Sequence, residues 1–351
     1  MQIGDRLIDL NNPTYFIAEI GANFDKKLER AKGLIWLAKE SKADAVKFQH
    51  YTADTLVSNY GFSNLKNNTH QSTWKQSVYE TYKQAELNLE WTSILAEEAN
   101  KAKIDFFTSP YAYYLADYVD RFVPAFKIGS GDITWLAYLD YVASKGKPVF
   151  LATGASTQDE VDRAVQTVLT KTDQLVLMQC NTNYSGDPDN SKFMNLRVLT
   201  TFANRYPNIA LGLSDHSVSV ASVLGAIALG ARVIERHFTD DTHREGPDHP
   251  FSTDPNSWRQ MIQRSRELED MLGDGIKRVE NNEQDARIVQ RRSICAKNNL
   301  NKGQTLTIAD FDYLRPCSQN SFAPSEATKL IGKKLSKGME KGEAFIKSFL
   351  V

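Results

Sequence analysis

The stretch RVIERHF, residues 232–238, starts with the apolar residues of a buried strand and ends in Glu235, Arg236 and His237, where a core would be expected. It is the last of eight short apolar runs, each followed by a stretch with the length or periodicity of a helix. Repeated strand and helix units predict a parallel α/β sheet, and eight of them close a (β/α)8 TIM barrel. The runs are FIAEI (16–20), AVKF (45–48), DFFTS (105–109), AFKIGS (125–130), VFLATG (149–154), LVLMQC (175–180), IALGLS (209–214) and RVIERHF (232–238).

The spacing of these runs leaves one alternative open and predicts one irregular segment. An open, doubly wound sheet requires only that one or two strands be miscounted. Residues 50–104, between the second and third runs, are too many for one connecting helix and must hold an extra loop or helix. They include NYGFSNLKNNTHQSTW (59–74), a polar insertion that we expect at the face of the barrel carrying the site.

The overall composition is that of a soluble globular protein. The 351 residues suit one barrel domain and one small domain, and 42 Lys and Arg against 43 Asp and Glu indicate neither a nucleic acid nor an anionic membrane as partner. The chain has no apolar run of the roughly 20 residues that a membrane span needs, and its N-terminus lacks signal-peptide features. Cys180, Cys295 and Cys317 show no C-x-x-C spacing. We therefore expect a cytoplasmic protein with reduced cysteines.

A second domain is predicted where the apolar periodicity stops. We expect a barrel domain over 1–275, a charged linker over 276–291 and a small β-rich domain over 292–351. Within the last, NNLNKGQTLTI (298–308) and KGMEKGEAFIK (337–347) resemble each other. Two such units predict internal pseudo-symmetry, although Lys-Gly turns are common enough for a chance match.

Polar residues follow the predicted strands at the ends that meet at the mouth of a barrel. A lone histidine there is usually structural, but His216 and His237 follow neighbouring strands and together favour a metal site. With oxygen ligands around them, Mn2+ is the expected ion, with Mg2+ or Co2+ as alternatives. Two histidines leave coordination positions open for water or substrate, which is typical of a catalytic metal.

Lys47 and Lys127 also fall at strand ends, where a buried ammonium group needs an anion. Hydroxyl groups accompany them, so we predict a site for a phosphate, or for a phosphate and a carboxylate. The hydroxyls are those of Thr108, Ser130, Thr153 and Ser214. Two alternatives remain open: each lysine could pair with Glu19, Asp132 or Glu235, or one could form a Schiff base as in an aldolase.

Ordered blocks along nearly the whole chain resemble the sialic acid synthase family, the phosphoenolpyruvate-dependent nonulosonic acid synthases. The C-terminal part is similar to the antifreeze-like (SAF) domain of that family. An ordered set of motifs is far more specific than any single one. The blocks are FIAEIGAN, VKFQ, FFTSP, FKIGSGD, ATGAS, GLSDHS, GARVIERHFT and GPDH, followed in the C-terminal part by RRSICAKNNLNKGQ, YLRP and LIGKKL.

The resemblance implies an enzyme that joins phosphoenolpyruvate to the open-chain aldehyde of N-acetylmannosamine or a related N-acetylated sugar. The implied metal ligands are His216 and His237, and the implied catalytic residues are these two with Glu19, Lys47 and Lys127. The phosphoenolpyruvate positions are Lys47, Thr108, Lys127, Ser130 and Ser214, to which the hydroxyl pattern adds Thr153.

The resemblance also implies how the sugar is held. Glu19, Tyr184 and Asp248 would meet the sugar or its aldehyde, and Gln49 and Asp132 are expected on the same side. Arg315 would reach the acetamido group from the small domain of a partner subunit, so the implied assembly is a domain-swapped homodimer. The sequence departs from the family pattern in three places. Asp132 stands where the motif often has Glu, and Ala152 stands where a hydroxyl often sits beside Thr153. The run NTNYS (181–185) replaces the usual Thr-containing run that ends in Tyr-Pro.

Two other functions remain to be weighed. A metal-dependent barrel hydrolase or aldolase acting on a phosphorylated or acetamido sugar would use the same metal, but the His-x-His common on the first strand of such hydrolases is missing from FIAEIGAN. A carbohydrate-binding or ice-binding protein would account for the small domain alone. A binding protein of this kind would not explain the polar residues at the barrel mouth.

Overall fold

A computed structural model describes residues 1–4, 6–65, 71, 74–184 and 187–351. Within these ranges the chain forms two compact units, Met1–Gly273 and Asp274–Val351. The segment predicted as a linker contains a short exposed helix, Gln284–Gln290, and falls in the second unit.

The first unit is built around an eight-stranded parallel sheet, which confirms the predicted TIM barrel. Neighbouring strands follow one another in chain order, the last strand pairs with the first, and the third lies beside the fourth. A short hairpin, β1 (Gln2–Ile3) with β2 (Arg6–Leu7), precedes the barrel. The barrel strands are β3 (Tyr15–Glu19), β4 (Ala45–His50), β5 (Asp105–Pro110), β6 (Phe126–Ile128), β7 (Val149–Ala152), β8 (Leu175–Cys180), β9 (Ala210–Asp215) and β10 (Ala231–His237).

Amphipathic helices cover the outside of the barrel, and most of them bury one apolar face against the strands. In α8 (Gln158–Leu169), for example, Val161, Ala164, Val165 and Val168 are buried, and Thr157 caps the N-terminus by accepting a hydrogen bond from the Glu160 amide. The helices of this unit are α1 (Leu28–Glu40), α2 (Ala53–Leu56), α3 (Asn59–Asn64), α4 (Val78–Ala85), α5 (Trp91–Ala102), α6 (Tyr113–Asp120), α7 (Leu136–Ala143), α8 (Gln158–Leu169), α9 (Val198–Arg205), α10 (Val220–Ala228) and α11 (Pro255–Leu272).

Strand alternation divides the barrel residues into two sets. Tyr15, Ile17, Phe107, Phe150 and Met178 belong to a separate apolar core that fills the lower part of the barrel. Their neighbours along the strands pack outward against the helices in a larger core. An inward residue near the C-terminal end of a strand therefore lies above the filled core, at the mouth.

The insertion between β4 and α5 contains α2, α3 and α4, so this segment holds extra helices as its length predicts. Of these, α3 lies within the polar stretch 59–74, which was expected to be irregular. Residues 66–70 and 72–73 of the polar stretch lie outside the described residues. Glu86 accepts a hydrogen bond from the amide of Ala53 (2.6 Å), and Tyr79 donates one to Asp54, which join the two ends of the insertion.

The second unit has its own apolar core, including Ile294, Leu306, Phe311 and Phe345. An antiparallel pair, β11 (Ser293–Ala296) and β12 (Phe311–Leu314), forms its sheet, and α12 (Gln284–Gln290) precedes the pair. A bridge between Leu300 and Met339 joins the two similar stretches of sequence. None of the helices in the described ranges combines the length and apolar character needed to cross a membrane.

Candidate active site

Four charged side chains meet inside the mouth of the barrel, all from inward-facing strand positions. Lys47 Nζ lies 2.6 Å from Glu19 Oε2 and 3.6 Å from Glu235 Oε1, and Lys127 Nζ lies 2.9 Å from the same Glu235 oxygen. All four residues are at most 5 % exposed. The parallel register accounts for the pair of Glu19 and Lys47, because Glu19 on β3 is aligned with Lys47 on β4. It also aligns Glu19 with His237 on β10.

The charges in this cluster stabilise each other. Burial alone would lower the pKa of Lys47, but the Glu19 and Glu235 carboxylates raise it above its usual value. Burial opposes ionisation of Glu235 too, yet Lys127 and Lys47 hold the pKa of its carboxyl below the usual range. Burial raises the pKa of Glu19. Pairing of the lysines with carboxylates, one of the alternatives left open by the sequence, is therefore what the structure shows.

One carboxylate oxygen of the cluster, Glu235 Oε2, is buried and makes no hydrogen bond. Both oxygens of Glu19 have partners, because Oε2 is paired with Lys47 and Oε1 accepts a hydrogen bond from Gln49 at 2.7 Å. Ser214 Oγ lies 3.5 Å from Glu235 Oε1. Unsatisfied buried oxygens are costly, so the cluster is poised to gain a ligand or water as partner.

Ser109, rather than Thr108, joins this cluster. Lys47 Nζ donates a hydrogen bond to Ser109 Oγ at 3.2 Å. Thr108 faces outward, where its hydroxyl contacts His50 Nδ1 (2.6 Å) and donates to the Phe48 carbonyl (3.1 Å). The reason is strand alternation: Phe107 points into the barrel, so Ser109 does as well and Thr108 does not.

Thr153 likewise turns away from the lysines, and its hydroxyl donates to the Met178 carbonyl at 3.0 Å. Ala152 takes the inward position, so β7 offers no hydroxyl to the cluster. Ser130 remains near the mouth, where its Oγ accepts a hydrogen bond from the Gly154 amide at 2.9 Å. Of the six predicted phosphoenolpyruvate residues, Lys47, Lys127 and Ser214 thus lie together.

His216 and His237 come together as expected, with ring centroids 5.5 Å apart. His216 Nδ1 lies 2.9 Å from the Asn181 carbonyl, a contact that requires a donor at Nδ1 and leaves Nε2 available as a ligand. His237 Nδ1 is buried without a hydrogen bond, and burial, His216 and the lysines lower the pKa of His237 well below its usual value. Two neighbouring imidazoles fit a divalent ion.

Within the described residues no group of three or more His, Cys, Asp and Glu side chains has metal-binding geometry. The nearest acid, Asp248, has Oδ2 3.7 Å from His237 Nδ1. The residues therefore fit a two-histidine site, in which water or substrate oxygen atoms would complete the coordination.

A cavity of about 370 Å³ opens above the histidines. Gln49, Asp132, Tyr184 and Asp248 line it, so these predicted sugar residues share one space. Tyr184 packs on His216 with ring centroids 4.2 Å apart. Burial raises the pKa of Asp132 to about 6, and it raises the pKa of Asp248 as well.

A family model confirms the kinship that these residues suggest. Residues 34–277, well over half of the chain, match the model of the NeuB family. The chain belongs to the NeuB family.

Individual NeuB relatives match along almost the whole chain. The N,N'-diacetyllegionaminic acid synthase of Legionella pneumophila is 36% identical over 340 residues, covering 95% of this chain and 93% of that protein. The pseudaminic acid synthase of Campylobacter jejuni strain 81-176 is 33% identical over 353 residues, 99% of each chain. The crystal structure of N-acetylneuraminic acid synthetase from Leptospira borgpetersenii, in complex with citrate, is 28% identical with a TM-score of 0.72, covering 82% and 94%. The protein is accordingly a nonulosonic acid synthase-like enzyme.

Arg315 is the one predicted residue of this NeuB protein outside the barrel unit. It is exposed in the second unit and donates a hydrogen bond to Gln290 Oε1. Its predicted part in sugar binding remains a prediction.

Sequence reasoning missed part of the site. Ser109 could have been found by counting alternate residues from Phe107. Tyr51 and Tyr111, which line the cavity, directly follow β4 and β5. Trp74 and Tyr82 come from the insertion, and no local pattern in the sequence assigns them to a cavity.

Proposed function

We propose that this protein condenses phosphoenolpyruvate with the open-chain aldehyde of an N-acetylated sugar, giving a sialic acid-type nonulosonic acid and phosphate. The observation that carries the proposal is the buried cluster of Lys47, Lys127, Glu19 and Glu235 beside two neighbouring histidines, with a cavity above. Such a site offers cations for an anionic donor, ligands for a metal and room for a second substrate.

Phosphoenolpyruvate would occupy the lysine cluster. Its phosphate and carboxylate are matched by Lys47 and Lys127, with Ser109 and Ser214 as hydrogen-bonding neighbours. Binding exchanges the contacts between lysine and glutamate for contacts between lysine and substrate. Holding this reactant in place lowers the entropic cost of bringing two molecules together.

A divalent ion, Mn2+ in the first place and Mg2+ or Co2+ as alternatives, would be held by His216 and His237. When bound, it would act as a Lewis acid toward the aldehyde oxygen. The chain fixes the orientation of one ligand through the contact between His216 and the Asn181 carbonyl.

The bond changes follow from this arrangement. C3 of the enol phosphate attacks the aldehyde carbon, a carbon–carbon bond forms, and the aldehyde oxygen takes up a proton to become a hydroxyl. The positive charge left at C2 is met by water, whose proton Glu19 can accept. The tetrahedral intermediate then loses phosphate by cleavage of the C2–oxygen bond, leaving the 2-keto acid.

The acceptor is N-acetylmannosamine or a relative such as a 2,4-diacetamido-trideoxy hexose. Gln49, Asp132, Tyr184 and Asp248 supply polar contacts around the cavity. Kinship with synthases of N,N'-diacetyllegionaminic and pseudaminic acid supports this class of sugar.

We also propose a domain-swapped homodimer in the cytoplasm. Residues 274–351 contain 14 Lys and Arg against 9 Asp and Glu, whereas residues 1–273 contain 28 against 34. A basic small unit and an acidic barrel unit are complementary, which favours capping of one chain's barrel by the small unit of another. Cys180, Cys295 and Cys317 are free thiols, consistent with a reducing compartment.

The proposal is tested by incubating the protein with Mn2+, phosphoenolpyruvate and each candidate sugar, and by measuring phosphate release and 2-keto acid formation. Both should appear in equal amounts with at least one sugar. Absence of both across N-acetylmannosamine and the 2,4-diacetamido sugars would refute it. Calorimetry checks the metal separately: His237→Ala should abolish Mn2+ binding while leaving the circular dichroism spectrum unchanged.

A further inference from the structure

His249, the last residue of the block GPDH (246–249), has no part in the site described so far. Asp248 of the same block lines the cavity, whereas His249 is fully buried and is not among the described residues that line it. Its Nδ1 lies 2.7 Å from Thr239 Oγ1 in the loop after β10 (residues 238–254), and its Nε2 lies 3.0 Å from Asp25 Oδ1 in the loop after β3 (residues 20–27). Because a carboxylate only accepts, Nε2 donates the bond that joins the two loops.

The ring of His249 is also held from the side. A Cβ added at Gly246 would stand 2.7 Å from His249 Cδ2, so the ring lies directly against the backbone of its own loop. With both ring nitrogens in polar contacts and the ring edge on the backbone, the orientation of the imidazole is fixed.

The loop after β3 needs such a support. Asp25 and Lys26 have φ angles of +50° and +53°, in the left-handed region that residues other than glycine rarely adopt. A strained backbone of this kind persists only where surrounding contacts hold it. Here His249 holds Asp25 Oδ1, while Arg30 Nε lies 3.1 Å from Asp25 Oδ2 and donates a hydrogen bond to the Asn23 carbonyl at 2.8 Å.

Two residues that line the cavity flank His249 in the same short segment. Asp248 precedes it, and Phe251 ends the 3-10 turn that begins at His249. Asp248 Oδ2 accepts a hydrogen bond from the Ala22 amide at 2.8 Å, and the Phe251 ring centroid lies 4.8 Å from that of His237. The position of this part of the cavity wall therefore depends on how the segment is fixed to the loop after β3.

We propose that His249 is a positioning residue, which holds Asp248 at the cavity through its bond to Asp25 and touches neither substrate. The inference rests on the proposed function and deepens it, because it adds a support behind the sugar side of the site. Loss of the bond should weaken sugar binding. The phosphoenolpyruvate side should be unaffected, since Lys47 and Lys127 lie on barrel strands.

Two substitutions of His249 separate its two contacts. An asparagine amide reaches the position of ring Nδ1, and a glutamine amide reaches that of Nε2. His249→Asn should therefore lose the bond to Asp25 and raise the KM of the sugar about 10-fold, with kcat and the KM of phosphoenolpyruvate nearly unchanged. His249→Gln keeps the bond and should keep the wild-type KM. A sugar KM that is unchanged in His249→Asn, or raised more in His249→Gln, would overturn the proposal.

The control and a second perturbation come from the same loop. His243→Asn makes the same change at a 92% exposed side chain and should leave the KM of the sugar unchanged. Gly246→Ala displaces the ring without removing it and should raise the KM of the sugar as His249→Asn does. In an Asp25→Ala background, His249→Asn should have no further effect, and additive effects of the two would count against the bond.

Hydrogen exchange separates this proposal from the proposed function, because it needs no substrate. In His249→Asn, peptides covering residues 20–27 and 246–252 should exchange about 10-fold faster, whereas peptides covering β7 should exchange as in the wild type. This result would support the role of His249 even if the wild type released no phosphate with any sugar, which would refute the proposed function alone. Unchanged exchange in both loops, or an equal rise throughout the barrel, would overturn the inference.

Discussion

The amide of Ala22 donates a hydrogen bond to Asp248 Oδ2 at 2.8 Å and so ties the loop after β3 to the loop after β10. Gly21 makes this approach possible. Its φ is +50°, and a Cβ added there would stand 2.3 Å from the same Asp248 oxygen and 3.3 Å from the His237 ring. The positions of Asp248 and His237 thus depend on the absence of a side chain at Gly21.

Gly21→Ala is expected to displace Asp248 and raise the KM of the sugar about 10-fold, with a loss of about 1–2 kcal/mol in the free energy of unfolding. Steady-state kinetics and urea titration measure the two effects. Gly146→Ala is the control, because Gly146 also has a positive φ (+73°) but no atom within 4 Å of an added Cβ. An equal effect of both variants on sugar KM would show that backbone strain, not Asp248, is responsible.

Lys47→Met should abolish turnover and lower the free energy of unfolding by about 3–5 kcal/mol, because it leaves Glu19 buried without its cation. The double variant Lys47→Met with Glu19→Leu should recover most of the stability and none of the activity. Lys101→Met, which removes an exposed pair with Glu97, should leave the free energy of unfolding nearly unchanged. Chemical denaturation checks all three, and recovery of activity in the double variant would contradict a role for Lys47 in catalysis.

Ser109→Ala should raise the KM of phosphoenolpyruvate more than Thr108→Val does, by several-fold. Ser109 contacts Lys47, whereas Thr108 contacts His50 on the other side of the strand. Thr108→Val should instead lower the free energy of unfolding by about 1–3 kcal/mol, since His50 loses a buried hydrogen bond. A larger effect of Thr108→Val than of Ser109→Ala on the KM of phosphoenolpyruvate would indicate that Thr108, and not Ser109, contacts the substrate.

Acid should destabilise the protein through His50. Burial lowers its pKa to about 4, and both ring nitrogens contact threonine hydroxyls, Thr108 and Thr92. The folded state binds fewer protons here than the unfolded state, so the stability contribution is complete above the unfolded pKa of about 6.5 and is lost as pH falls toward 4. By pH 5 the loss is about 2 kcal/mol.

Urea unfolding at pH 7 and pH 5 tests this effect. The wild type should lose more stability between the two values than His50→Gln, by about 2 kcal/mol. His243→Gln, at a 92% exposed side chain, should retain the wild-type difference. If His50→Gln loses as much stability between pH 7 and pH 5 as the wild type does, groups other than His50 cause the acid sensitivity.

Arg315→Ala should raise the KM of the sugar more than that of phosphoenolpyruvate if the second unit of one chain caps the barrel of another. Mixing it with the barrel variant Lys47→Met should restore part of the activity, because a mixed dimer contains one intact site. Light scattering gives the mass directly. A monomer, or the absence of rescue in the mixture, would rule out the swapped arrangement.

The sequence by itself determined the barrel and the chemical character of its mouth. The eight apolar runs coincide with the eight strands, and polar residues at strand ends must meet because parallel strands present those ends at one face. Alternation along RVIERHF likewise directs Glu235 and His237 inward and Arg236 outward, where it lies beside Asp215.

Only the tertiary structure decided which groups touch. Lys47 and Lys127 are paired with Glu19 and Glu235 because the closed barrel brings opposite strands within reach, a distance that no local pattern encodes. The identity of the cavity wall is likewise non-local, since Tyr82 reaches Tyr51 by the folding of an insertion over the mouth. Periodicity fixes the direction of a side chain along its own strand, but contacts between distant segments depend on how the whole chain closes.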